Sequence, residues 1–372
     1  MAVGSVTVTQ VNQNQGSFKE VERTFLYLGT AGTGAQKGIL RIGAGSNLDT
    51  LLGADASNLK TQLSAAIANA NDTDFFAYAI ALGADEDWKT VAMAALEKPD
   101  DLNVEGIVIC NPVSSAAEVT AAQTFATNVV SAYAKFITVY LAVPGIAEAE
   151  TWAAYCTKIK AYLDGIAADR VTVTPLLHTN NLGVVCGRLC TRAADIADSP
   201  MRVATGALVA LGADPKDSTG APLDMPTIRT LSEARFSVPQ WYPGYDGMYW
   251  ADHPVLDAEG GDFQVIEYRR IIDYLARRVR ILAIKRIADR RLNSTKASIS
   301  QNQTYFARVL RDAAKSRVVA GKEFPGMIQD PPADAVTITW ISKTEVAIDL
   351  IAQPYNCPKK IRVTLGLDLS NE

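Results

Sequence analysis

The chain has 372 residues, of which 48% are hydrophobic, so it can bury a sizeable core and is long enough for two or three domains. A formal net charge of −4 with 20% charged residues excludes a nucleic-acid-binding signature for the chain as a whole. The five cysteines are odd in number and scattered, which favours reduced thiols over a disulfide framework, and no apolar run reaches the ~18 residues of a membrane span.

Residues 1–20 are predicted to form an N-terminal arm, because SVTVT alternates apolar and polar residues and the polar QVNQNQGS after it offers little to pack. Beyond residue 20, short apolar runs alternate with helical segments. These runs are FLYLG, GILRIG, DFFAYAIALG, GIVICNP, FITVYLAVPG and VTVTPLL. The alternation predicts an α/β core domain over residues 21–200, with a mostly parallel sheet flanked by helices.

The remainder of the chain is predicted to form three further segments. Residues 201–262 are a connection rich in proline, glycine and aromatic residues, expected to be irregular with short strands. Residues 263–353 form a C-terminal α+β domain, with one helix from Phe263 to about Leu292 and another from Gln301 to Ala320. In the same domain, VTITWI and VAIDLI flank the polar SKTE and predict an antiparallel hairpin. Residues 354–372 form a C-terminal arm.

Both predicted arms carry apolar strand patterns beyond the core. Lys359–Leu369 alternates apolar and polar residues, with Ile361, Val363, Leu365 and Leu367 on one face. Fully extended, this strand spans ~36 Å. Because an exposed apolar strand pairs with any open sheet edge that it meets, we expect strand exchange between subunits. The alternative is that both segments are edge strands of the protein's own sheet.

The stretch LYLGTAGTGAQKG, Leu26–Gly38, has the glycine content of a phosphate-binding loop. Gly29 and Gly34 have the spacing of a Walker loop, but Ala35 and Gln36 stand where it needs Lys and Ser or Thr. The following GILRIG predicts a strand, so no helix N-terminus is available for an anion. We interpret the stretch as a connector. A nucleotide-dependent α/β enzyme that uses the Gly29–Lys37 loop is the alternative.

Few residues are available for catalysis. The chain has two histidines, His178 and His253, and no Gly-x-Ser-x-Gly elbow accompanies them. Cys186 and Cys190 are spaced to share a helix face, but two thiols without a second pair favour core packing over a metal site. The sequence thus predicts that the protein is not an enzyme and has no catalytic site, metal or cofactor.

The helix predicted from Phe263 carries a strongly basic surface. Its apolar residues form one stripe: Val265, Tyr268, Ile272, Leu275, Val279 and Leu282. On the other faces we expect nine basic residues: Arg269, Arg270, Arg277, Arg278, Arg280, Lys285, Arg286, Arg290 and Arg291. Only three acidic residues accompany them, so this helix is net +6 and favours association with an acidic surface. A solvated basic face is the alternative.

In layout the chain resembles the tail sheath proteins of contractile phages and pyocin-type particles, particularly the short forms. The likeness runs through "GSVTVTQVNQNQGSFKEVERTFLYLGTA", "NLDTLLGADASNLKTQLSAAIANA" and "DGMYWADHP" followed by "VIEYRRIIDYLARRVR", and it ends with the hairpin and last strand. The aromatic motif departs from the better-known sheaths, since Trp250 is followed by Ala251 rather than Gly. The chain is also too compact for a large inserted outer domain.

The resemblance implies a structural subunit that stacks in hexameric rings around an inner tube, with baseplate and tail terminator proteins as further partners. It implies no nucleic acid and no membrane insertion, assembly in the bacterial cytoplasm and a final place in the virion tail. Contraction would come from subunits repacking into a lower-energy lattice. A subunit of a cellular injection machine would assemble and contract by the same physical principles, and it stays open as an alternative.

The resemblance also implies roles for individual residues. Each arm adds a strand to a neighbouring subunit, through Val6 and Val8 at one end and Ile361, Val363, Leu365 and Leu367 at the other. The hairpin over residues 336–351 offers the receiving edge through Val336, Ile338, Val346 and Ile348. The candidates for contact with an acidic inner tube are Arg277, Arg278, Lys285, Arg308, Arg311 and Lys315.

Overall fold

The computed structural model describes residues 21–97, 102–319 and 321–367, and a six-stranded sheet lies at its centre. The strands in chain order are β1 (Phe25–Thr30), β2 (Leu40–Gly43), β3 (Phe76–Leu82), β4 (Gly106–Ile109), β5 (Thr138–Val143) and β6 (Val171–Pro175). Across the sheet their order is β2-β3-β1-β4-β5-β6. Every neighbouring pair is parallel except β2 and β3, which are antiparallel. The predicted mostly parallel sheet is confirmed.

Helices cover both faces of this sheet. They are α1 (Leu48–Leu52), α2 (Asn58–Ala70), α3 (Trp88–Glu97), α4 (Ala116–Tyr133), α5 (Trp152–Lys160) and α6 (Asn181–Cys190). Ser57, Ser115 and Thr151 begin α2, α4 and α5 by accepting a hydrogen bond from a first-turn backbone N–H. Apolar side chains of α3, α4 and α5 pack on one face of the sheet and those of α2 and α6 on the other. The continuous apolar strands are therefore buried on both sides.

Two glycines let α2 and α6 approach each other closely. A Cβ atom at Gly183 would collide with the carbonyl oxygen of Gln62, and one at Gly187 would collide with that of Ala66. On the same helix the thiols of Cys186 and Cys190 are both buried, and burial raises the pKa of each. These thiols pack within the apolar layer that covers this face of the sheet.

The segment over residues 201–262 holds more regular structure than its sequence indicates. It contains the expected short strands, β7 (Pro239–Tyr242) and β8 (Tyr245–Trp250), which pair as an antiparallel hairpin. It also contains a helix, α7 (Met225–Glu233), which the sequence did not predict. The Asp224 side chain begins this helix by accepting from the backbone N–H of Thr227, and Pro226 lies in its first turn.

Among its described residues, the C-terminal part has two helices and two small hairpins. The elements are α8 (Ile266–Ile284), α9 (Lys296–Ala314), β9 (Arg317–Val319), β10 (Lys322–Phe324), β11 (Val336–Trp340) and β12 (Val346–Leu350). The hairpin β11/β12 is confirmed. The helix α8 ends eight residues before the predicted Leu292, because the Asp289 carboxylate accepts from Arg286 and Arg291 and folds the chain into a turn. Thr295 then begins α9.

Candidate assembly surfaces

The helix α8 lies along the edge of the sheet where the parallel strands begin. Its Arg270 binds Glu105, directly before β4, and its Asp273 binds Arg170, directly before β6. Its Arg277 donates to the carbonyl oxygen of Phe136, shortly before β5. Side chains of α8 thereby fix the helix against three strand starts of the core.

Arg270 and Glu105 form a fully buried ion pair with two hydrogen bonds. Arg270 Nε lies 2.5 Å from Glu105 Oε1, and Nη2 lies 3.0 Å from Oε2. Burial by itself would raise the pKa of Glu105, but the Arg270 guanidinium and the charge of Arg277 hold it below its ordinary value. The carboxylate is therefore ionised and paired inside the protein.

Arg269 and Arg270 do not lie on an exposed face of α8, so that expectation was wrong. Arg269 is 4% exposed and Arg270 is 3% exposed. Arg269 Nη2 lies 2.5 Å from Asp273 Oδ1, and Arg170 Nη1 lies 3.2 Å from Asp273 Oδ2. Because each guanidinium meets a carboxylate, the charges can be buried, which a sequence pattern of apolar spacing does not anticipate.

Arg277 and Arg278 converge on Glu22, the second residue of the described chain. Arg277 Nη2 lies 2.9 Å and Arg278 Nη1 lies 3.2 Å from Glu22 Oε1. Burial would raise the pKa of Glu22, but the two arginines lower it. The Arg278 guanidinium also stacks over the Tyr274 ring. These two tube-contact candidates are thus half-buried and paired within the chain.

The remaining tube-contact candidates lie nearer the surface. Arg308 and Arg311 are exposed on α9, Lys315 is exposed directly after the last residue of that helix, and Lys285 is half-buried where α8 ends. Lys315 forms an exposed ion pair with Asp312 of α9. Basic side chains are therefore exposed along the second half of α9 and directly after it.

The hairpin β11/β12 packs one of its faces on the C-terminal core. Val336 and Ile338 are buried and Val346 and Ile348 are partly buried in one apolar cluster with α9 residues. On the opposite face of the hairpin, Thr337, Thr339 and Asp349 are exposed. All four residues predicted to receive a strand thus have side chains directed toward the protein's own core.

The backbone register of this hairpin leaves an edge for another strand. Ile351 N donates to Ala335 O at 2.9 Å, so alternate residues direct their N–H and C=O groups away from the partner strand. On β12 these residues are Val346, Ile348 and Leu350. At the β11 edge, Gln303 of α9 already donates to the carbonyl oxygen of Val336. Within the described chain no strand pairs with the outer edge of β12.

The C-terminal segment beyond Lys359 is exposed along its described length. Residues 360–367 lie in no helix or strand, and the exposed fractions of Ile361, Val363, Leu365 and Leu367 are 76%, 79%, 95% and 85%. In the single chain these residues are therefore not an edge strand of the protein's own sheet. Val6 and Val8 of the other predicted arm lie outside the described residues.

The glycine loop after β1 is closed by bonds within the chain. The backbone N–H groups of Gly32 and Gln36 donate to carbonyl oxygens of α1, at 2.8 and 2.9 Å. The N–H of Thr33 donates to the Asp55 carboxylate at 3.2 Å. Lys37 is exposed, and β2 follows the loop. Amides that a phosphate would need are thus used by the fold, and a carboxylate lies beside them.

The described residues offer neither a cluster of metal ligands nor a membrane-spanning helix. Among residues 21–97, 102–319 and 321–367, no group of three or more His, Cys, Asp or Glu side chains is placed to hold a metal ion. Across that same part of the chain, none of the helices combines the length and apolar character needed to span a bilayer.

Solved sheath structures share the fold of this chain. The contracted helical sheath of the anti-feeding prophage aligns with a TM-score of 0.58 and 14% identity, over 98% of this chain and 100% of that one. The sheath tail protein of Desulfitobacterium hafniense aligns with a TM-score of 0.54 and 11% identity, over 93% and 96%. The predicted α/β core with a C-terminal α+β part is confirmed by these matches.

A sequence relative covers the whole molecule. A protein of Haemophilus phage HP1 (strain HP1c1), provisionally named as a tail sheath protein, is 40% identical over 374 residues. The alignment covers 99% of this chain and 98% of that protein. Residues 3–254 match the DUF2586 N-terminal domain, and residues 262–370 match the DUF2586 C-terminal domain. The chain belongs to the DUF2586 family.

Proposed function

We propose that this chain is the structural subunit of a contractile tail sheath, and that it stacks in hexameric rings around an inner tube. The 40% identical phage protein is provisionally named as a tail sheath protein, and the contracted anti-feeding prophage sheath has the same fold. The role needs no catalysis. The closed glycine loop supports a structural role over the nucleotide-enzyme alternative, because its amides and the Asp55 carboxylate leave no cradle for an anion.

The observation that carries this proposal is the row of exposed apolar side chains after Lys359. Ile361, Val363, Leu365 and Leu367 are each more than three-quarters exposed, and every second residue between them is polar or glycine. Full burial of such a side chain contributes roughly 1.5–3 kcal/mol, so a single chain in water leaves this favourable free energy unused. A second copy that receives the row recovers it.

The outer edge of β12 is the receiving edge in this proposal. Val346, Ile348 and Leu350 direct backbone groups outward there, and five paired residues offer a strand of ~17 Å. An arm that adds beside β12 extends the β11/β12 sheet by one strand and lays its apolar face beside the C-terminal core. The contact is heterologous, because an arm on one copy meets an edge on the next, and such contacts propagate into rings and helices.

The basic surface of α9 is the proposed contact with the inner tube. Arg308 and Arg311 are exposed there, and the nearby Lys315 forms an exposed ion pair with Asp312. Reversing both arginine charges, Arg308→Glu with Arg311→Glu, weakens co-assembly with an acidic tube and makes it less dependent on salt. Lys322→Glu, an exposed lysine on β10, is the matched control.

The remaining partners follow from the sheath role. Baseplate and tail terminator proteins bound the two ends of the polymer, the finished sheath is part of the virion tail, and assembly takes place in the bacterial cytoplasm. Neither nucleic acid nor membrane insertion is needed. The extended lattice is metastable, and release at the baseplate lets subunits repack to a lower free energy and drive the tube forward.

Negative-stain electron microscopy of the purified chain at high concentration tests the proposal. We expect tubes with ring striations. A chain that lacks residues 360–372 but keeps Lys359 is expected to remain a folded monomer without tubes. Discrete small particles at every concentration and salt would contradict the sheath role, and tubes from the shortened chain would contradict the arm assignment alone.

A further inference from the structure

The C-terminal segment leaves the body of the protein at two successive anchor points. Pro354 forms an isolated β-bridge with Ile328. Five residues later, Lys359 Nζ lies 2.8 Å from Glu267 Oε1 and 2.5 Å from Asp252 Oδ1. Residues 360–367 that follow are all exposed. Within the described chain, Lys359 is therefore the last anchor before the arm.

The contact at Lys359 is built into the protein interior. The Glu267 side chain is 2% exposed and lies in the first turn of α8. Burial raises the pKa of Glu267. Burial also opposes the charge on Lys359, but Glu267 and Asp252 outweigh it and raise the pKa of the ammonium. Glu267 Oε2 makes no hydrogen bond, and the Lys359 ammonium lies beside the other carboxylate oxygen, Oε1, of this buried side chain.

The same helix holds the other end of the described chain. Glu22 binds Arg277 and Arg278, and Glu267 binds Lys359. Ten residues separate Glu267 from Arg277, which is ~15 Å along the helix axis. Both ends of the described chain are thus bound to α8 by ion pairs. In the first pair α8 supplies the arginines, and in the second it supplies the carboxylate.

We propose that Lys359 is a positioning residue that fixes where the C-terminal arm begins and therefore how far it reaches. With Lys359 bound, the described arm of residues 360–367 reaches ~26 Å when extended. When Lys359 is released, the next anchor is Pro354, and residues 355–359 add ~17 Å to the reach of the extended arm. The effect on a polymer rests on the proposed sheath function, in which this arm enters a neighbouring subunit.

The first experiment uses the unassembled protein and does not depend on that function. Cys357 lies between the two anchors and is exposed, whereas Cys110, Cys156, Cys186 and Cys190 are buried, so a maleimide fluorophore labels Cys357 selectively. Lys359→Met removes the charge and keeps the aliphatic stem. We expect the anisotropy of the label to fall, and chymotryptic cleavage after Tyr355 to quicken about tenfold.

Lys360→Met is the matched control, since it removes the adjacent, exposed lysine. It is expected to leave both measurements as in the wild type. If Lys359→Met folds poorly by circular dichroism, Glu267→Gln removes the buried partner charge with little change of shape and is expected to change both measurements in the same direction. Unchanged anisotropy and cleavage in folded Lys359→Met and Glu267→Gln would overturn the proposal.

The second experiment measures reach in assembled tubes. We expect Lys359→Met tubes to show a broader distribution of ring spacing than wild-type and Lys360→Met tubes, because each arm carries five more free residues. Identical distributions would overturn the claim about reach. If the wild-type chain forms no tubes, the sheath function fails, and the anisotropy measurement still decides whether Lys359 holds the segment.

Discussion

Glu105 and Arg270 lie 165 residues apart in the sequence and meet in a buried, doubly hydrogen-bonded ion pair. A buried pair of this kind is not necessarily a large net source of stability, because both ions lose their hydration. The cost of removing the pair depends, however, on whether one partner or both are replaced. Deleting one partner leaves the other charge buried and uncompensated, whereas replacing both by apolar residues can be nearly neutral.

Arg270→Ala is expected to lower the free energy of unfolding by about 3–5 kcal/mol, because the Glu105 carboxylate stays buried without its partner. Arg270→Met combined with Glu105→Leu is expected to recover much of that loss. Urea unfolding followed by circular dichroism measures both changes. Arg280→Ala, on an exposed part of the same helix, is the control and should stay within about 0.5 kcal/mol of the wild type. A loss below about 1 kcal/mol in Arg270→Ala would show that the pair does not act as described.

The carboxylates of Glu22 and Glu105 both have a pKa lowered from the ordinary 4.5 despite burial, because arginines face them. The unfolded chain therefore binds protons more readily at these positions. Their stabilisation is present above pH 4.5 and is lost as the pH falls through their lowered folded values. Burial raises the pKa of Glu267, so this group affects the free energy of unfolding in the opposite direction. The stability that it contributes is present at low pH and is lost as the pH rises through its folded pKa.

Glu22→Gln is accordingly expected to flatten the decline of stability in acid. The wild-type free energy of unfolding should fall more steeply below pH 4.5 than that of the variant, as measured by urea unfolding at a series of pH values. Glu345→Gln, in the exposed turn of the β11/β12 hairpin, is the control and should keep the wild-type slope. Equal slopes for all three proteins would contradict the role assigned to Glu22.

At the scale of elements, the sequence predicts the strands of the core well and the ends of the helices less well. The runs FLYLG and FITVYLAVPG are continuous apolar stretches, and they form β1 and β5 because a sheet covered on both faces needs no polar side. Apolar periodicity continues through Ile284 and Ile287, yet α8 ends at Ile284. Local bonds to Asp289 decide that boundary, and periodicity contains no information about them.

The charged contacts of α8 were the least predictable part of the candidate assembly surfaces. A hydropathy pattern assigns Glu267 and Arg270 to solvent, because each charge is judged alone. Their partners Lys359 and Glu105 lie elsewhere in the sequence, and only the folded chain brings them together. Pairs of opposite charge on distant elements give no local signal, so their burial could be recognised only in the structure.

The arm pattern leads to a prediction at the scale of one element. Leu365 is 95% exposed in the single chain, so Leu365→Asp should leave the free energy of unfolding within about 0.5 kcal/mol of the wild type. In the proposed polymer its side chain is buried beside a neighbour, and the same change is expected to abolish tubes in negative-stain images. Thr364→Asp, on the opposite face of the arm, is the matched control and should still polymerise. Tubes from Leu365→Asp would place the arm elsewhere in the polymer.

The molecule as a whole consists of a folded part held together through α8 and an exposed C-terminal segment. Buried ion pairs fix α8 to the strand starts, and this helix also holds the last anchor before the arm. In the proposed sheath, a subunit built in this way moves as a unit while its arm stays joined to a neighbour. The proposed contraction by such rigid-body movement needs no chemical step, because its free energy would come from the difference between the two lattices.

Lys37→Ala tests this view against the nucleotide-enzyme alternative. Because loop amides are bonded to α1 and to Asp55, we expect the wild-type protein to show no thermal shift with ATP and magnesium, and the variant to form tubes like the wild type. A ligand present at a concentration one hundred times its dissociation constant would stabilise the folded state by about 2.7 kcal/mol, which is readily measured. A shift of that size in the wild type that disappears in Lys37→Ala would show that the loop opens to hold a nucleotide. Contraction would then have a chemical source of energy that repacking alone does not require.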